Sequence, residues 1–522
     1  MNRNLILAFA LSLAVYAGWA LWVEKNYKPL PRAARQSVPA IAGAQLRPDD
    51  KRTAITAQTV TVAGAGPGET VSLPAIAFHT PEAEVLFNPR GAAISSFKFF
   101  GPAGIAELVP HSNPGFFATM SQTEFALKEK TDNSLTFSAE PMKGFVIEKT
   151  YNWVEGGIGR ITVTAQNRLR KTIEIPEWAL RIGPGIGTVP SEKEENPKLW
   201  QASFAVNQAD RKLPVAKNLS KETPAGPWLW AGVHNRYFLA AVMPDNWPAE
   251  KLVYEPKAFE KEKAPGLAAP VEKMLLAPGA RQEWSLYFYI GPKDYRHLLA
   301  LGHGLDRSVD FGFFGPIGKA VLKVLYFNHR LTGNYGWAII LLTIFVQILM
   351  SPLTYKGFKA TMIMKQLQPK LAQIQAKYKD NPARLNQEML ELYRKHGANP
   401  FSGCLPMVLQ IPIFFALFTA LRNSWDLHGA VFTLWVTDLS AKDPYYVLPI
   451  VMGAIMFFQQ KFTMSAPAGG DPAQMAVMKW MPVIFTFMFL SFPSGLVLYW
   501  LTSSLIGFGQ QMYLQKRMAV PV

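Results

Sequence analysis

Long apolar runs occupy the beginning and the last third of the chain. The first run, residues 5–23, has enough residues to cross a hydrocarbon core about 30 Å thick as a helix. The later runs predict five more membrane spans, at residues 335–354, 404–421, 445–460, 481–492 and 496–513. The pattern therefore predicts a polytopic α-helical membrane protein with six transmembrane helices, the last five of which form one core over residues 334–513.

The first apolar run has two interpretations, an uncleaved anchor and a cleaved signal peptide. Tyr16, Trp19 and Trp22 stand where a cleavage site would need small residues, and the run is longer than a usual signal core. We therefore favour a transmembrane anchor over residues 1–27. Residues 28–74 are rich in Ala, Pro, Gly and Thr without an apolar period, which is typical of a flexible linker.

A different periodicity, apolar and polar side chains in alternation, runs through residues 75–306. In "SLTFSAE" Leu135, Phe137 and Ala139 alternate with polar neighbours, and "RITVTAQ" and "WSLYFYI" repeat the pattern. Segments rich in Gly and Pro, such as "NPRG" and "GPGIG", separate these short runs. Many short alternating runs predict a large antiparallel β-sandwich domain.

Amphipathic helices are predicted on either side of the first core span. Residues 307–333 place apolar side chains at helical spacing with Lys319 and Lys323 on another face, which predicts a helix lying in the membrane interface. Residues 355–403 predict a helical hairpin, because two amphipathic stretches follow each other across a helix start at Pro382. Its apolar positions are Leu367, Leu371, Ile374 and Tyr378, then Leu385, Met389 and Leu392.

Charge predicts the orientation of the spans. The chain has 53 Lys and Arg against 37 Asp and Glu, a net charge of +16, and the hairpin is strongly basic. By the positive-inside rule the hairpin is cytoplasmic, which places residues 75–306 outside and both termini, including the short tail 514–522, in the cytoplasm. The hairpin lysines are either a solvated face or a docking surface for the ribosome, lipid head groups or a targeting receptor. The docking candidates are Lys365, Lys370, Lys377 and Lys379.

Sequence motifs for enzymatic chemistry are absent. The chain contains no G-x-S-x-G, no H-E-x-x-H and no intact Walker loop, and the near match "GPIGKA" has Ala320 where magnesium binding needs Ser or Thr. Cys404 is the only cysteine, so an internal disulfide is excluded. We therefore predict no enzymatic activity, no cofactor, no metal site and no direct nucleic-acid substrate.

Polar side chains recur inside the predicted spans. They are Thr343, Gln347, Ser351 and Thr354 in the first core span, Gln410 in the second, and Tyr499, Ser503 and Gln510 in the last. In the first core span their spacing places them on one helix face. An amide that faced lipid would be unpaired, so these stripes face either each other or water. Both interpretations stay open for the stripes, and for the central Gln347 we favour a hydrated cavity.

Several long segments resemble the YidC membrane-protein insertases of Gram-negative bacteria. They are "NPFSGCLPMVLQIPIFFALF", "LWVTDLSAKDPYYVLPIVMG", "MPVIFTFMFLSFPSGLVLYW" and "QQMYLQKR". The resemblance implies an anchor, a large periplasmic sandwich, an interfacial helix and a five-helix core with a cytoplasmic hairpin, all in the bacterial inner membrane. It also implies insertion and folding of nascent inner-membrane proteins through a hydrophilic groove, alone or beside the Sec translocon. The implied partners are nascent chains, the ribosome, the translocon and inner-membrane lipids.

One groove position departs from that family. Its members usually carry an arginine where this chain has Gln347, in the segment "FVQILMSP". An amide keeps hydrogen-bonding capacity without charge, so we predict substrate capture by hydration and hydrogen bonding rather than by ion pairing. The predicted groove residues are Gln347, Thr343, Ser351, Gln410, Ser503 and Gln510. Two alternatives to an insertase remain, a membrane-anchored periplasmic binding module and a channel or transporter.

Overall fold

The structure is a computed structural model whose described part begins after the predicted anchor and linker. It describes residues 76–102, 104–109, 114–154, 157–207, 214–224, 226–259, 262–379, 381–396, 405–463 and 472–518. The anchor predicted at 1–27 and the linker predicted at 28–74 lie outside the described residues.

Strands between Ile76 and Pro292 form a β domain. They are β1 Ile76–His79, β2 Ala83–Asn88, β3 Ala93–Gly101, β4 Gly104–Glu107, β5 Ala118–Thr119, β6 Ala126–Lys130, β7 Ser134–Met142, β8 Phe145–Trp153, β9 Ile158–Asn167, β10 Ile173–Ile175, β11 Trp178–Ile182, β12 Gln201–Val206, β13 Val215–Asn218, β14 Trp228–His234, β15 Phe238–Asn246, β16 Val253–Tyr254, β17 Lys257–Phe259, β18 Glu262–Ala264, β19 Leu267–Val271, β20 Met274–Leu276 and β21 Arg281–Pro292.

A nine-stranded antiparallel sheet is the largest element of this domain, in the order β13-β12-β14-β15-β21-β9-β8-β7-β6. Two four-stranded sheets, β1-β2-β3-β4 and β16-β19-β11-β5, pack against it. Their contacts are aromatic: the ring of Phe87 lies 5.5 Å from that of Phe137, and the ring of Trp178 lies 5.3 Å from that of Trp284. The buried faces follow the alternation in the sequence, which confirms the prediction of a β-rich domain.

Lys149 is a buried exception to that alternation. Its ammonium lies in the aromatic core and donates hydrogen bonds to three backbone carbonyls, those of Gly91 at 3.2 Å, Ala92 at 3.0 Å and Phe117. Burial lowers the pKa of Lys149 well below its ordinary value. The carbonyls satisfy the ammonium, so this lysine joins two loops of the domain rather than facing water.

Helices make up most of the chain after Pro292. With one short helix inside the β domain, they are α1 Asn196–Leu199, α2 Tyr295–Leu301, α3 Gly315–Thr332, α4 Tyr335–Lys377, α5 Pro382–Lys395, α6 Leu405–Arg422, α7 Val447–Thr463, α8 Pro472–Phe489 and α9 Ser494–Met518. A second apolar cluster joins α3, α4, α6, α7 and α9 to the open face of β14 and β15. The large sheet is therefore the middle layer between the smaller sheets and the helices.

Helix α4 continues well beyond the predicted end of the first core span. It is one helix of 43 residues, capped by the Asn334 side chain, with Pro352 and Pro369 inside it. The first arm of the predicted hairpin is thus the continuation of the span. Its Leu367 and Leu371 pack with Met389 of α5, as the apolar spacing predicts.

One stretch in the described part of the chain, Tyr335–Met364, is long and apolar enough to cross a membrane by length and composition. Shorter apolar helices occupy Val408–Arg422, Val447–Lys461 and Trp480–Phe489. Helix α8 begins at Pro472 and ends at Phe489, so it is shifted toward the N-terminus relative to the predicted span 481–492. The count of six spans stays a prediction.

We expect Gly453→Ala to destabilise the helical core, because α7 and α8 pack closely at this glycine. A Cβ at residue 453 would lie 2.0 Å from Oγ1 and 3.1 Å from Cβ of Thr486. The free energy of unfolding in detergent should fall by about 1–3 kcal/mol. Gly507→Ala is the matched control, because its Cβ would meet nothing closer than 3.6 Å. Equal losses in the two variants would contradict the close packing.

Candidate functional site

The first polar contact between core helices joins α4 to α9. Gln347, 8% exposed, donates a hydrogen bond from Nε2 to Oγ of Ser503. The two helices pack against each other around this contact. Gln347 of the α4 stripe and Ser503 of the α9 stripe therefore face each other in this structure.

A second contact joins α6 to the same helix. Gln410 Nε2 donates to the hydroxyl oxygen of Tyr499 at 3.0 Å, and the Tyr499 side chain is fully buried. Tyr499 and Ser503 are one helical turn apart, so α9 accepts a hydrogen bond from each of its two neighbours. We call these four residues, Gln347, Gln410, Tyr499 and Ser503, the polar seam.

The other predicted groove residues have different surroundings. Thr343 is fully buried and donates to the carbonyl of Ile339 in its own helix at 2.7 Å, a bond that satisfies its hydroxyl locally. Ser351 and Gln510 are half-buried. The structure thus joins Gln347 to Ser503 directly, and the membership of Thr343, Ser351 and Gln510 in one groove stays a prediction.

The seam carries hydrogen-bonding groups without charge. Residues 335–354, the stretch around Gln347, contain no Asp, Glu, Lys or Arg. Amide and hydroxyl groups can exchange one partner for another without the desolvation cost of an ion. The seam therefore offers hydrogen-bond donors and acceptors without a fixed charge.

Three of the four candidate docking lysines lie on the hairpin surface. Lys370, Lys377 and Lys379 are exposed, and the ammonium of Lys377 lies 5.3 Å from the ring centre of Tyr378. The side chain of Lys365 is outside the described part. These exposed positions leave the charges free to meet an acidic surface.

A serine and a histidine of the β domain also form a hydrogen-bonded pair. Ser203 Oγ and His234 Nε2 are 2.9 Å apart, and the ammonium of Lys293 lies 3.5 Å from His234 Nδ1. Burial lowers the pKa of Lys293 to about 7, and burial and the charge of Lys293 lower the pKa of His234. All three side chains are more than nine-tenths buried, so we interpret the group as packing of the β domain rather than as a catalytic site.

Asp426 is a residue that the sequence reasoning missed. Its carboxylate accepts hydrogen bonds from the Tyr326 and Tyr335 hydroxyls at 2.9 and 3.0 Å and from the Arg296 guanidinium at 2.9 Å. These donors are far from it in the sequence, and no local motif around Asp426 indicates them.

Known proteins match both the helical part and the β domain. Residues 327–520 match the family described as 60Kd inner membrane protein, and residues 195–324 match the family described as YidC periplasmic domain. A membrane protein insertase YidC of Endomicrobium trichonymphae is 40% identical over 452 residues, 84% of this chain and 84% of the relative. One of Syntrophus aciditrophicus (strain SB) is 34% identical over 560 residues, 99% of this chain and 100% of the relative.

A solved structure gives a weaker match. The crystal structure of an active YidC insertase with its first transmembrane domain resolved has a TM-score of 0.38 and 19% sequence identity, covering 84% of this chain and 92% of its own.

The family matches and the relatives assign the helical core with its polar seam, and the β-rich domain attached to it, to the class of membrane protein insertases. The chain belongs to the YidC family of membrane protein insertases, because relatives at least 34% identical match over most of its length. This membership favours an insertase over the anchored binding module and the channel.

We predict that the hydrogen bond from Gln410 to Tyr499 couples their contributions to stability. A double-mutant cycle with Gln410→Leu and Tyr499→Phe, measured by unfolding in detergent, should give a coupling of about 0.6–1.7 kcal/mol. The control cycle pairs Gln410→Leu with Thr502→Val, because the Thr502 hydroxyl bonds only to Leu498 within its own helix among the described contacts. If the two substitutions of the first cycle had additive effects on the free energy of unfolding, the hydrogen bond would contribute nothing to stability.

Proposed function

We propose that this protein inserts membrane proteins into the bacterial inner membrane and that the polar seam receives the hydrophilic part of the entering chain. The observation that carries this proposal is the pairing of α4 and α6 with α9 by uncharged side chains, Gln347 with Ser503 and Gln410 with Tyr499. The relatives are membrane protein insertases, so we propose insertion as the activity, and we propose the seam as the site where it takes place.

The cost of opening the seam is small. A hydrogen bond between membrane helices contributes on the order of 0.6–2 kcal/mol, so breaking both seam contacts costs a few kcal/mol at most. A polar side chain or backbone group of the substrate can then take the place of the lost partner. The exchange is close to neutral, whereas crossing the hydrocarbon unaided would leave the same group unsatisfied.

The exposed apolar face of α4 lies on the side of the helix turned away from Gln347. Phe345, Ile348 and Leu349 are 53%, 65% and 64% exposed, and each stands one or two positions from Gln347, which on a helix is about 100° or more around the axis. The polar segment of a substrate can therefore meet the seam while its apolar segment meets these side chains and lipid on the other side of α4. Partition of about 20 apolar residues into the hydrocarbon supplies the driving force, and no nucleotide hydrolysis is required of the insertase.

Gln347 allows the seam to bind a substrate without a charged side chain. An arginine at this place would be permanently charged and would attract acidic segments, whereas the amide offers two donors and one acceptor to any polar group. We infer that the seam binds substrate segments whose polar groups need hydrogen-bond partners, whether or not those segments are negatively charged. Water that enters the open seam would form hydrogen bonds with the same amides and hydroxyls, as in the predicted hydrated groove.

The orientation that fits this function places the β domain in the periplasm and the α4–α5 hairpin in the cytoplasm. The basic residues of the hairpin support this orientation, because cytoplasmic segments of membrane proteins are enriched in Lys and Arg. A nascent chain would then reach the seam from the side of the ribosome. We further propose the ribosome, anionic lipids and the Sec translocon as partners of the cytoplasmic and membrane surfaces.

We expect Gln347→Leu to impair insertion of a substrate with a polar translocated tail. The variant removes the donor that meets the tail, so the yield in reconstituted vesicles should fall roughly tenfold, on the order of one lost hydrogen bond. Gln347→Arg should be tolerated, because the guanidinium also donates. Ile348→Leu on the exposed neighbouring face is the control. Normal insertion by Gln347→Leu would refute the proposed role of the amide.

We also expect the hairpin lysines to bind the ribosome. Reversing Lys370, Lys377 and Lys379 to Glu should abolish most co-sedimentation with ribosomes at low salt, because the docking is electrostatic. Reversal of Lys143, Lys257 and Lys263, exposed lysines of the β domain, is the matched control and should leave binding intact. If the hairpin variant bound ribosomes as well as the unsubstituted protein does, the lysines would serve only to set the membrane topology.

A further inference from the structure

Asp426 lies where the β domain, the interfacial helix and the core meet. Its side chain is 7% exposed, and its two oxygens accept from four donors. Oδ1 accepts from Arg296 and Tyr335, and Oδ2 accepts from Tyr326 and, at 3.3 Å, from the Ser424 hydroxyl. A carboxylate whose two oxygens accept four hydrogen bonds is held in one position, and it holds its donors in position as well.

Each distant donor belongs to a different element. Arg296 lies in α2 at the end of the β domain, Tyr326 lies in α3, and Tyr335 is the first residue of α4. The Arg296 guanidinium also lies 4.1 Å from the ring centre of Tyr326, which adds a cation–π contact between two of the donors. The carboxylate therefore ties three elements to the loop that follows α6.

The surrounding contacts strengthen the same junction. Trp425 packs with its ring 5.2 Å from Phe238 and 6.0 Å from Phe99 of the β domain. Thr419 near the end of α6 donates to the carbonyl of Phe311 at 3.0 Å, and Asn423 donates to that of Asp310 at 2.8 Å. The end of α6 nearest the β domain, which we call its outer end, is thus held by apolar contacts to the β domain and by hydrogen bonds to the segment between the β domain and α3.

The loop after α6 also holds the turn between α8 and α9. The backbone N–H of Ser494 donates to the carbonyl of Ala441 at 2.7 Å, and that of Gly495 donates to Leu439 at 2.9 Å. The outer end of α9, which carries Tyr499 and Ser503 of the seam, is therefore tied to the same loop as Asp426.

The end of the core at the α4–α5 hairpin has different contacts. The apolar cluster of the α4–α5 hairpin, around Leu367 and Leu371, is separate from the cluster that joins the core helices to the β domain. The two ends of α4 thus have different contacts: its first residue is bonded to the buried carboxylate, and its far end packs in the separate apolar cluster of the hairpin. Motion that separates the helices costs least at the hairpin end.

We propose that Asp426 is a positioning residue for insertion: by holding the outer ends of α3, α4 and α6 to the β domain, it keeps that end of the seam closed while a substrate enters. Entry of the substrate from the cytoplasm is what the family resemblance implies, and Asp426 is the residue that we assign to the closed end. The inference rests on the proposed insertase function, but the closed outer end can be measured without any substrate.

The test uses thiol reporters in a protein that lacks its natural cysteine. In a Cys404→Ser background, Ala338→Cys reports on the fully buried outer part of α4, and Ala360→Cys reports on its buried inner part. Each is labelled with a membrane-impermeant maleimide on its own side of the vesicle. Asp426→Asn should raise the labelling rate at residue 338 by about fivefold or more and leave that at residue 360 within about twofold.

The matched control is Asp443→Asn. Asp443 is also buried, at 1% exposed, and lies in the same loop, but its described partners, Trp435, Tyr445 and Leu448, all lie close to it in the sequence. This variant should leave labelling at both reporters unchanged. Where Asp426→Asn does not accumulate in the membrane, the milder pair Tyr326→Phe and Tyr335→Phe removes two of the donors and is measured in the same way.

Unchanged labelling at residue 338 would overturn the proposal, and so would an equal rise at both reporters, which indicates general loosening. Insertion of a polar-tailed substrate is measured in the same vesicles and should fall with the rise at residue 338. If the unsubstituted protein inserts nothing there, the proposed function fails, whatever the labelling shows. The two failures are therefore distinguishable.

Discussion

A polar side chain in an apolar helical bundle must find a partner, and this constraint determines the arrangement of the core. The described seam satisfies it by placing one helix, α9, between two donors, with Tyr499 accepting from Gln410 and Ser503 accepting from Gln347. The bonds are uncharged and weak enough to exchange. We propose that the same exchangeable hydrogen bonds allow the core to accept a polar segment of another chain.

The remainder of the structure limits where that exchange occurs. On one side of the seam, exposed side chains such as Ile348 and Leu349 offer an apolar surface suited to lipid. At the outer end, Asp426 and the aromatic contacts of Trp425 join the core to the β domain. At the opposite end, α4 extends into an amphipathic hairpin with its own small apolar cluster. The two ends of the core are therefore held by different contacts.

The sequence predicted the periodic features well. The alternation around Leu135 and Phe137 identified buried strands, and the spacing of Leu367 and Leu371 identified the hairpin contact, because both depend on local geometry alone. The polar stripe also singled out Gln347. The sequence favoured a hydrated cavity at Gln347, and in the structure its amide donates to Ser503. The spacing within one helix gives no information about which residue of a neighbouring helix it meets.

Features that depend on distant partners could not be predicted. The donors to Asp426 are 91, 100 and 130 residues away in the sequence, and Lys149 is buried because carbonyls 32, 57 and 58 residues away surround it. Leu331 belongs to the apolar spacing of α3 and yet is 66% exposed, because α3 ends one residue later at the edge of the core. In each case tertiary contacts outweigh the preference of the single residue.

In the proposed mechanism the seam meets the polar part of an entering chain. The most direct measurement is photo-crosslinking from a probe at residue 347 to a ribosome-stalled membrane protein, compared with the same probe at residue 348 on the exposed face of α4. We predict that residue 347 crosslinks to the hydrophilic segment of the nascent chain and residue 348 to its apolar segment or to lipid. Equal crosslinking of the hydrophilic segment from both positions, or none from residue 347, would contradict the account.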